Sequence, residues 1–472
     1  MRENRPYGSE GGVATSHPDP YPFLFGVVDR RNAADALLRP TPLLHSHAGA
    51  SLDPLGAICL PALSAARSCP AYSCRAQPFG GERFMPIINR VAGMQDEIAQ
   101  WRRDIHAHPE ILYEVHRTAG VVADKLKAFG CDEVVPGIGR TGVVGVIKGR
   151  KGTSGKVLGM RADMDALPMT EATGLPYASK TPGKMHACGH DGHTAMLLGA
   201  AKYLCETRNF DGTAIVIFQP AEEGGAGGKA MVDDGLMERW NIQEVFGMHN
   251  MPGIPVGQFA IRPGPLLAAS DGIFIDVTGK GGHAARPHEC IDTILVASSI
   301  VTALQSIVAR NVDPLKSGVV SICVFQAGEA LNVIPQTAHL EGTARTLAPE
   351  VRDLLERRVV EVAETTARLY GATATARYER RYPVTNNHLR QTEFAASVAA
   401  QVAGADKVDT NTPPLMGGED FSFMLEARPG AFIFVGNGNT AGVHHPKYDF
   451  NDEALPAGVS YWARLVETAM PA

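Results

Sequence analysis

Cysteine, histidine and carboxylate residues recur in this 472-residue chain at spacings that suit metal chemistry. The densest run is Met185-His186-Ala187-Cys188-Gly189-His190-Asp191-Gly192-His193. Cys188 and His190 stand two apart around a glycine, so both side chains can turn toward one point at a tight loop before a helix. Thiolate and imidazole are typical ligands of zinc-type ions. A second cluster, Pro220-Ala221-Glu222-Glu223-Gly224-Gly225, ends the apolar run AIVIFQ. Adjacent carboxylates repel if buried together. A cation resolves the conflict, with one glutamate ligating it and the other free to accept a proton from water. The third is His249, directly after an apolar strand. The fourth is His444-His445-Pro446 with Tyr448, Asp449, Phe450, Asn451 and Asp452, and the fifth pairs Asp163 with Asp165. Taken singly, each has a plainer account: a helix cap over a buried thiol, an exposed acidic turn, a structural histidine, a solvated loop, and an aspartate bonding its own backbone. Five such accounts would be five coincidences, and one metal site replaces them.

The elements that must position these groups are legible in the apolar pattern. Residues 94–107 and 117–129 read as helices, the second capped by Gly130. The runs VVGVIKG, KVLGMRAD, AIVIFQP and VFGMHN read as buried strands, with a helix after Gly192 between them. Buried apolar strands alternating with helices predict an α/β/α layer fold with a mostly parallel sheet, whose catalytic groups gather beyond the carboxyl ends of the strands. Residues 268–384 keep a different rhythm. A strand IFIDVTG precedes a helix over 291–309, with Ile291, Ile294, Leu295, Val301, Leu304 and Val308 near helical spacing. The strands VVSICVFQ and AHLEGTART, a helix over 349–370 and the strand ATARYERRYP complete a βαββαβ, ferredoxin-like α+β unit. The catalytic domain is therefore expected over 85–267 and 385–472, with the smaller unit inserted between.

Composition narrows the class. A charge of −6, from 44 basic and 50 acidic residues, offers no basic excess for nucleic acid. No 18-residue uninterrupted apolar window marks a membrane span. Eight dispersed cysteines without a CxxC pair read as reduced thiols rather than a disulfide scaffold, and the expected location is cytoplasmic. Residues 1–84 hold ten prolines and no sustained period. They read as a poorly ordered extension without a chemical role, or as sequence translated ahead of a start at Met85, and they lack the basic-then-apolar order of a secretory signal.

The segments HACGHDGH, PAEEGG, GKGGHAARPH and LNVIP, in this order from about residue 90 onward, resemble the M20 metallopeptidase family. The nearest branch is the amidohydrolase one, that of hippurate hydrolases and N-acyl-amino-acid deacylases. The resemblance implies a metal-dependent hydrolase of linear amides, cleaving N-acyl amino acids to a carboxylic acid and a free amino acid. It implies a divalent cofactor, one or two ions per subunit, of zinc, manganese, cobalt or nickel. Cys188, His190, Glu223, His249 and His444 match metal ligands, His444 being chosen over His445 because the family ligand lies two residues before the proline. Glu222 matches the general base. Asp163 stands where peptidase relatives carry a ligating histidine, and Asp165 matches the carboxylate beside that ligand or the base. In the insertion, which matches a lid and dimerisation domain, His283 corresponds to a residue that polarises the scissile carbonyl, in relatives from the partner subunit. Asn332 and Arg345 match positions holding the substrate carboxylate or the developing oxyanion. A homodimer or higher homo-oligomer through the lid is implied, with a small-molecule substrate and neither nucleic acid nor membrane as partner. Arg286 and His288 are read as helix-start hydrogen-bonding residues.

Rival readings stay open at the level of residues: an M20-type carboxypeptidase or dipeptidase, an N-acetyl-diaminopimelate deacetylase, a hydrolase using Cys188 as nucleophile, or a binding protein that keeps the pocket without catalysis.

Overall fold

The apolar runs form the middle of an eight-stranded sheet in the structure, a computed structural model that describes residues 88–472. The extension expected over 1–84, with Cys59, Cys69 and Cys74, lies outside the described residues. Strand order is Glu133–Ile138, Gly142–Lys148, Thr213–Gln219, Val157–Asp163, Glu244–Pro252, Gly430–Gly438, Phe259–Ala260 and Val408–Asp409. Val157–Asp163 pairs in parallel with both Thr213–Gln219 and Glu244–Pro252, and Glu244–Pro252 pairs in parallel with Gly430–Gly438. Four adjacent central strands thus end at one edge of the sheet, which brings their following loops together. The sheet turns antiparallel where Gly142–Lys148 meets Thr213–Gln219 and Glu133–Ile138.

Helices cover both faces. One face packs the helices Gln95–Ala107, His116–Phe129, His190–Thr207 and Leu455–Ala469, through a core that includes Ile98, Val122, Leu197, Phe246, Ile433 and Trp462. The other face packs Met231, Leu236, Phe421, Met424 and Phe432. His190–Thr207 is buried almost all round, as expected of a helix enclosed by neighbours rather than lying at a surface. It starts at His190 rather than after Gly192, so His190 is its first residue.

Residues 269–382 contain a second, four-stranded sheet in the order Gly318–Ala327, Thr337–Thr346, Ala269–Thr278, Thr373–Tyr382, every pairing antiparallel. Strand order and helix placement are those of a ferredoxin-like unit. The helices Thr293–Arg310 and Pro349–Leu369 share a separate core with Ile273, Ile275, Val277 and Leu340. The buried stripe of the first helix is Val296, Ile300, Leu304 and Ile307. Ile294 and Leu295, placed in the apolar face by their spacing, are 42% and 53% exposed, because the helix meets the sheet one turn later. By length and mean hydropathy, 1.5, this helix suits a membrane span, although serines, threonines and a glutamine interrupt it.

A buried ionic knot ties the helix Gln95–Ala107 to the helix His190–Thr207. Arg102, fully buried, donates to Asp452 Oδ1 at 2.8 Å and lies 3.4 Å from Asp191 and Asp449. His106 Nδ1 donates to Asp191 Oδ2 at 2.8 Å. Burial opposes the charge on His106, but Asp191 and Glu171 outweigh it and raise the imidazole from 6.5 to about 9. A pKa raised on folding stabilises fully below the unfolded value and loses that contribution as pH rises through the folded one. His106→Gln should therefore cost most near pH 6, on the order of 3 kcal/mol. The deficit should shrink as pH passes 9, as measured by denaturant unfolding across the pH range.

Candidate metal centre

The loop before His190 turns on Gly189, whose φ of 94° is left-handed and whose absent Cβ would lie 2.2 Å from Asn250 Oδ1. Only glycine fits there. The turn sets Cys188 and His190 on the same side, and Cys188 Sγ lies 3.3 Å from His249 Nε2. His190 Nδ1 donates to the carbonyl of Asp165 at 2.8 Å, and His249 Nδ1 donates to the carbonyl of Asn250 at 2.6 Å. Each bond fixes the tautomer that leaves Nε2 with a free lone pair, the form a metal needs. His249 lies within Glu244–Pro252 rather than after it, because pairing with Gly430–Gly438 carries the strand past this residue.

Glu222 and Glu223 sit on a strained turn. Ala221 and Ala226 have left-handed φ values of 55° and 54°. Several contacts hold it. Asp165 accepts the N–H of Glu222 at 2.9 Å and of Glu223 at 3.1 Å. Tyr113 Oη donates to Gly225 O at 2.7 Å. Tyr382 Oη donates to Glu222 O at 2.7 Å and accepts the N–H of Ala226 at 3.1 Å. Asp165 therefore shapes the turn through its two backbone amides. Glu223 points to His444, with 3.2 Å between Oε1 and Nε2, and lies 3.9 Å from His190 Nε2. His444, at φ 63°, is held by its own N–H to Ala187 O at 2.7 Å, while His445 turns to the exposed Lys447 amide.

Two ligand triples result, Cys188–His190–His249 and Cys188–Glu223–His444, each with its donor atoms within 4.8 Å of one another and sharing the sulfur. His190 Nε2 and Glu223 Oε1 are buried without a hydrogen-bond partner. Buried polar atoms are rarely left so. Imidazole, thiolate and carboxylate donors aimed at one point with open lone pairs fit a divalent cation.

Burial opposes a charge on His190, but Asp163 and Cys188 outweigh it and raise the imidazole well above its ordinary value, so a cation competes there with a proton. Burial, then Glu223, push the Cys188 thiol up to about 12, so without a cation it stays protonated. Burial opposes ionisation of Glu223, yet His444 and His190 hold it below its ordinary value. Glu222 moves the other way. Burial, with Glu419, Glu223 and Asp420 around it, raises it well above the usual glutamate range.

The remaining buried charge was not legible as a motif. Arg161 donates to Asp163 Oδ2 at 2.7 Å, Glu419 Oε1 at 2.9 Å, Asp420 Oδ1 at 3.0 Å and Gln219 Oε1 at 2.9 Å. Asp163 also accepts His193 Nδ1–H at 2.6 Å. His190 Nε2 comes within 3.7 Å of Asp163, but arginine and His193 already occupy that carboxylate. His193 Nε2 accepts the Asn250 amide at 2.9 Å, so neither of its nitrogens is free. One signal was available: Arg161 is a charged residue inside the strand Val157–Asp163, which is apolar up to that point.

Other expected residues lie on the second sheet unit. His283 and Asn332 are exposed neighbours, with Asn332 O accepting the Ala284 N–H at 3.0 Å and His283 paired to Val333. Arg345 is half-buried, donates to the Thr343 hydroxyl and to Ala344 O, and makes no ion pair among the described residues. Arg286 and His288 are exposed beside Glu289.

A family model for peptidase family M20/M25/M40 matches residues 159–468, which include every residue of both ligand triples. The chain belongs to this family. It is an amidohydrolase, a hydrolytic enzyme acting on amides. A hippurate hydrolase of Campylobacter jejuni is 45% identical over 381 residues, covering 81% of this chain and 98% of that protein. An N-acetylcysteine deacetylase of Bacillus subtilis is 41% identical over 366 residues, covering 77% and 94%. A Bacillus subtilis protein whose crystal structure is described as a dinuclear metal-binding peptidase of the M20 family has a TM-score of 0.70. It is 36% identical, with 80% of this chain and 99% of that one covered.

Arg161 is the single guanidinium among three buried carboxylates. Arg161→Met should cost about 3–5 kcal/mol, because Glu419 and Asp420 lose the buried cation that faces them. Urea unfolding of the purified variant checks the loss.

Proposed function

We propose that this M20 amidohydrolase is metal-dependent and cleaves the amide of N-acyl amino acids, hippurate-like substrates in particular, to a carboxylic acid and a free amino acid. The observation that carries this reading is the convergence of Cys188, His190, Glu223, His249 and His444 beside Glu222, whose carboxylate also lies within ligand distance of His190 and Glu223. Relatives at 45% and 41% identity carry the names of enzymes for two such substrates.

The five residues would hold one or two divalent ions, zinc, manganese, cobalt or nickel. A divalent ion there supplies Lewis acidity, acidifying water and polarising a carbonyl. Glu222 accepts a proton from the attacking water and returns it to the leaving amine. Asp165 keeps Glu222 aimed through the two turn amides. The unit over 268–384 acts as a lid, hinged near residues 267 and 384, and joins two subunits as a homodimer. Across that dimer His283 reaches the neighbouring cleft and donates to the developing oxyanion, a contribution of about 10²–10³ in rate. Asn332 and Arg345 hold the substrate carboxylate. The guanidinium offers a planar fork for it, and among the described residues Arg345 has no ion pair to surrender first.

Cys188 as a free nucleophile is disfavoured by its burial and by a thiol pushed up to about 12.

The test is a hydrolysis panel of hippurate, acetyl-amino acids and dipeptides, run with metal analysis on the same protein. Hippurate and acetyl-amino acids should be cleaved and chelation should abolish turnover. Glu222→Gln should lower kcat by about 10²–10⁴ with the metal content unchanged. Preference for dipeptides would move the reading to a carboxypeptidase or dipeptidase. Full activity after metal removal would end it.

A further inference from the structure

Far from the metal centre, two cysteines are held sulfur to sulfur. Cys131 Sγ and Cys205 Sγ lie 3.6 Å apart, joining positions 74 residues apart in sequence. The contact is built by backbone constraints on both sides. Cys131 directly follows Gly130, the left-handed residue (φ 85°) that ends the helix His116–Phe129, and its own N–H donates to Leu126 O at 3.1 Å. Cys205 lies in the last turn of His190–Thr207. Arg208, just beyond, donates to Gly130 O at 2.7 Å, Asp132 Oδ2 at 2.7 Å and Lys148 O at 2.8 Å. One guanidinium thus clamps the residues on either side of Cys131, and the sulfur–sulfur contact itself lowers the Cys205 thiol while raising that of Cys131. Cys131 is half-buried and Cys205 is 9% exposed behind it, an accessible thiol backed by a resolving one. The other described cysteines lack such a partner: Cys188 faces His249, and Cys290 and Cys323 contact only carbonyl oxygens.

We propose that Cys131 and Cys205 are a modification site, a dithiol that oxidants of the peroxide class convert to an intramolecular disulfide. One thiolate attacks a peroxide oxygen. The O–O bond breaks, hydroxide leaves and takes up a proton as water, and the attacking sulfur becomes a sulfenic acid. The second sulfur then attacks the first, the S–O bond breaks, and a second water leaves as the S–S bond forms. Two thiols and one peroxide give one disulfide and two waters, the sulfurs supplying both electrons. The sulfurs need only close from 3.6 Å to about 2 Å.

The staple joins the ends of two helices that pack on the same core. Cys205 is fifteen residues along the helix from His190, about 22 Å at the helical rise. The disulfide therefore stabilises the catalytic unit while leaving the metal ligands where they are.

The experiment treats the full-length, metal-loaded protein with equimolar hydrogen peroxide, followed by alkylation and peptide mapping without reductant. The expected product is a linked Cys131–Cys205 peptide, two hydrogens lighter than the sum of its parts and released by dithiothreitol. The thermal midpoint should rise by about 2–5 °C and fall back on reduction. Cys131→Ser and Cys205→Ala should each abolish link and rise. If Cys131 and Cys205 both remain alkylatable, or either goes on to sulfinic acid unlinked, the proposal fails. That readout needs neither variant to fold, and it does not depend on the metal-centre reading.

Discussion

Burying Glu222 and Glu223 side by side is the constraint from which the rest of the site follows. Two desolvated carboxylates repel each other, and each pays for leaving water unless positive charge meets it. The protein answers with two separate sources of that charge. Arg161 faces Asp163, Glu419 and Asp420 on one side. On the other, Glu223 turns to His444 and His190, where open lone pairs from sulfur, nitrogen and oxygen converge. The arginine answers the structural acids, and the ligand set keeps donor atoms that a cation would answer. Glu222, near both groups but bonded to neither through its carboxylate, remains the group free to exchange protons.

Positioning rests on a few backbone devices. Parallel pairing of four central strands delivers their loops to one edge of the sheet. Gly189 sharpens the turn that carries Cys188 into the helix His190–Thr207, and Asp165 fixes the turn that carries the glutamates. Tyr382, the last residue of the four-stranded sheet, bonds that same turn through two backbone atoms. The second unit thus touches the site at the turn bearing Glu222.

Much of this was readable from residue type and spacing. The apolar runs gave the sheet, and the βαββαβ rhythm gave the second unit with its antiparallel order. Cys188, His190, Glu222, Glu223, His249 and His444 carried a signal because reactive residues at successive strand ends are hard to explain singly. The charge-balancing residues carried none. Glu419 and Asp420 sit in a glycine-flanked stretch that resembles an exposed acidic turn, and they meet Arg161 across 258 and 259 residues of chain. His193 lay inside a quoted motif, but its bonds to Asp163 and Asn250 depend on strand packing that no local spacing encodes. Helix Thr293–Arg310 failed in its facing residues for the same reason. Periodicity gives a helix, and the partner surface decides which stripe is buried.

The most direct test of the central claim is X-ray absorption at the zinc edge of the zinc-loaded protein and its Cys188→Ala variant. The expected spectrum of the parent contains a sulfur scatterer at about 2.3 Å together with imidazole nitrogen, and the variant loses the sulfur. A parent shell of nitrogen and oxygen alone, or a sulfur that persists in the variant, would contradict a cation seated on the Cys188 thiolate.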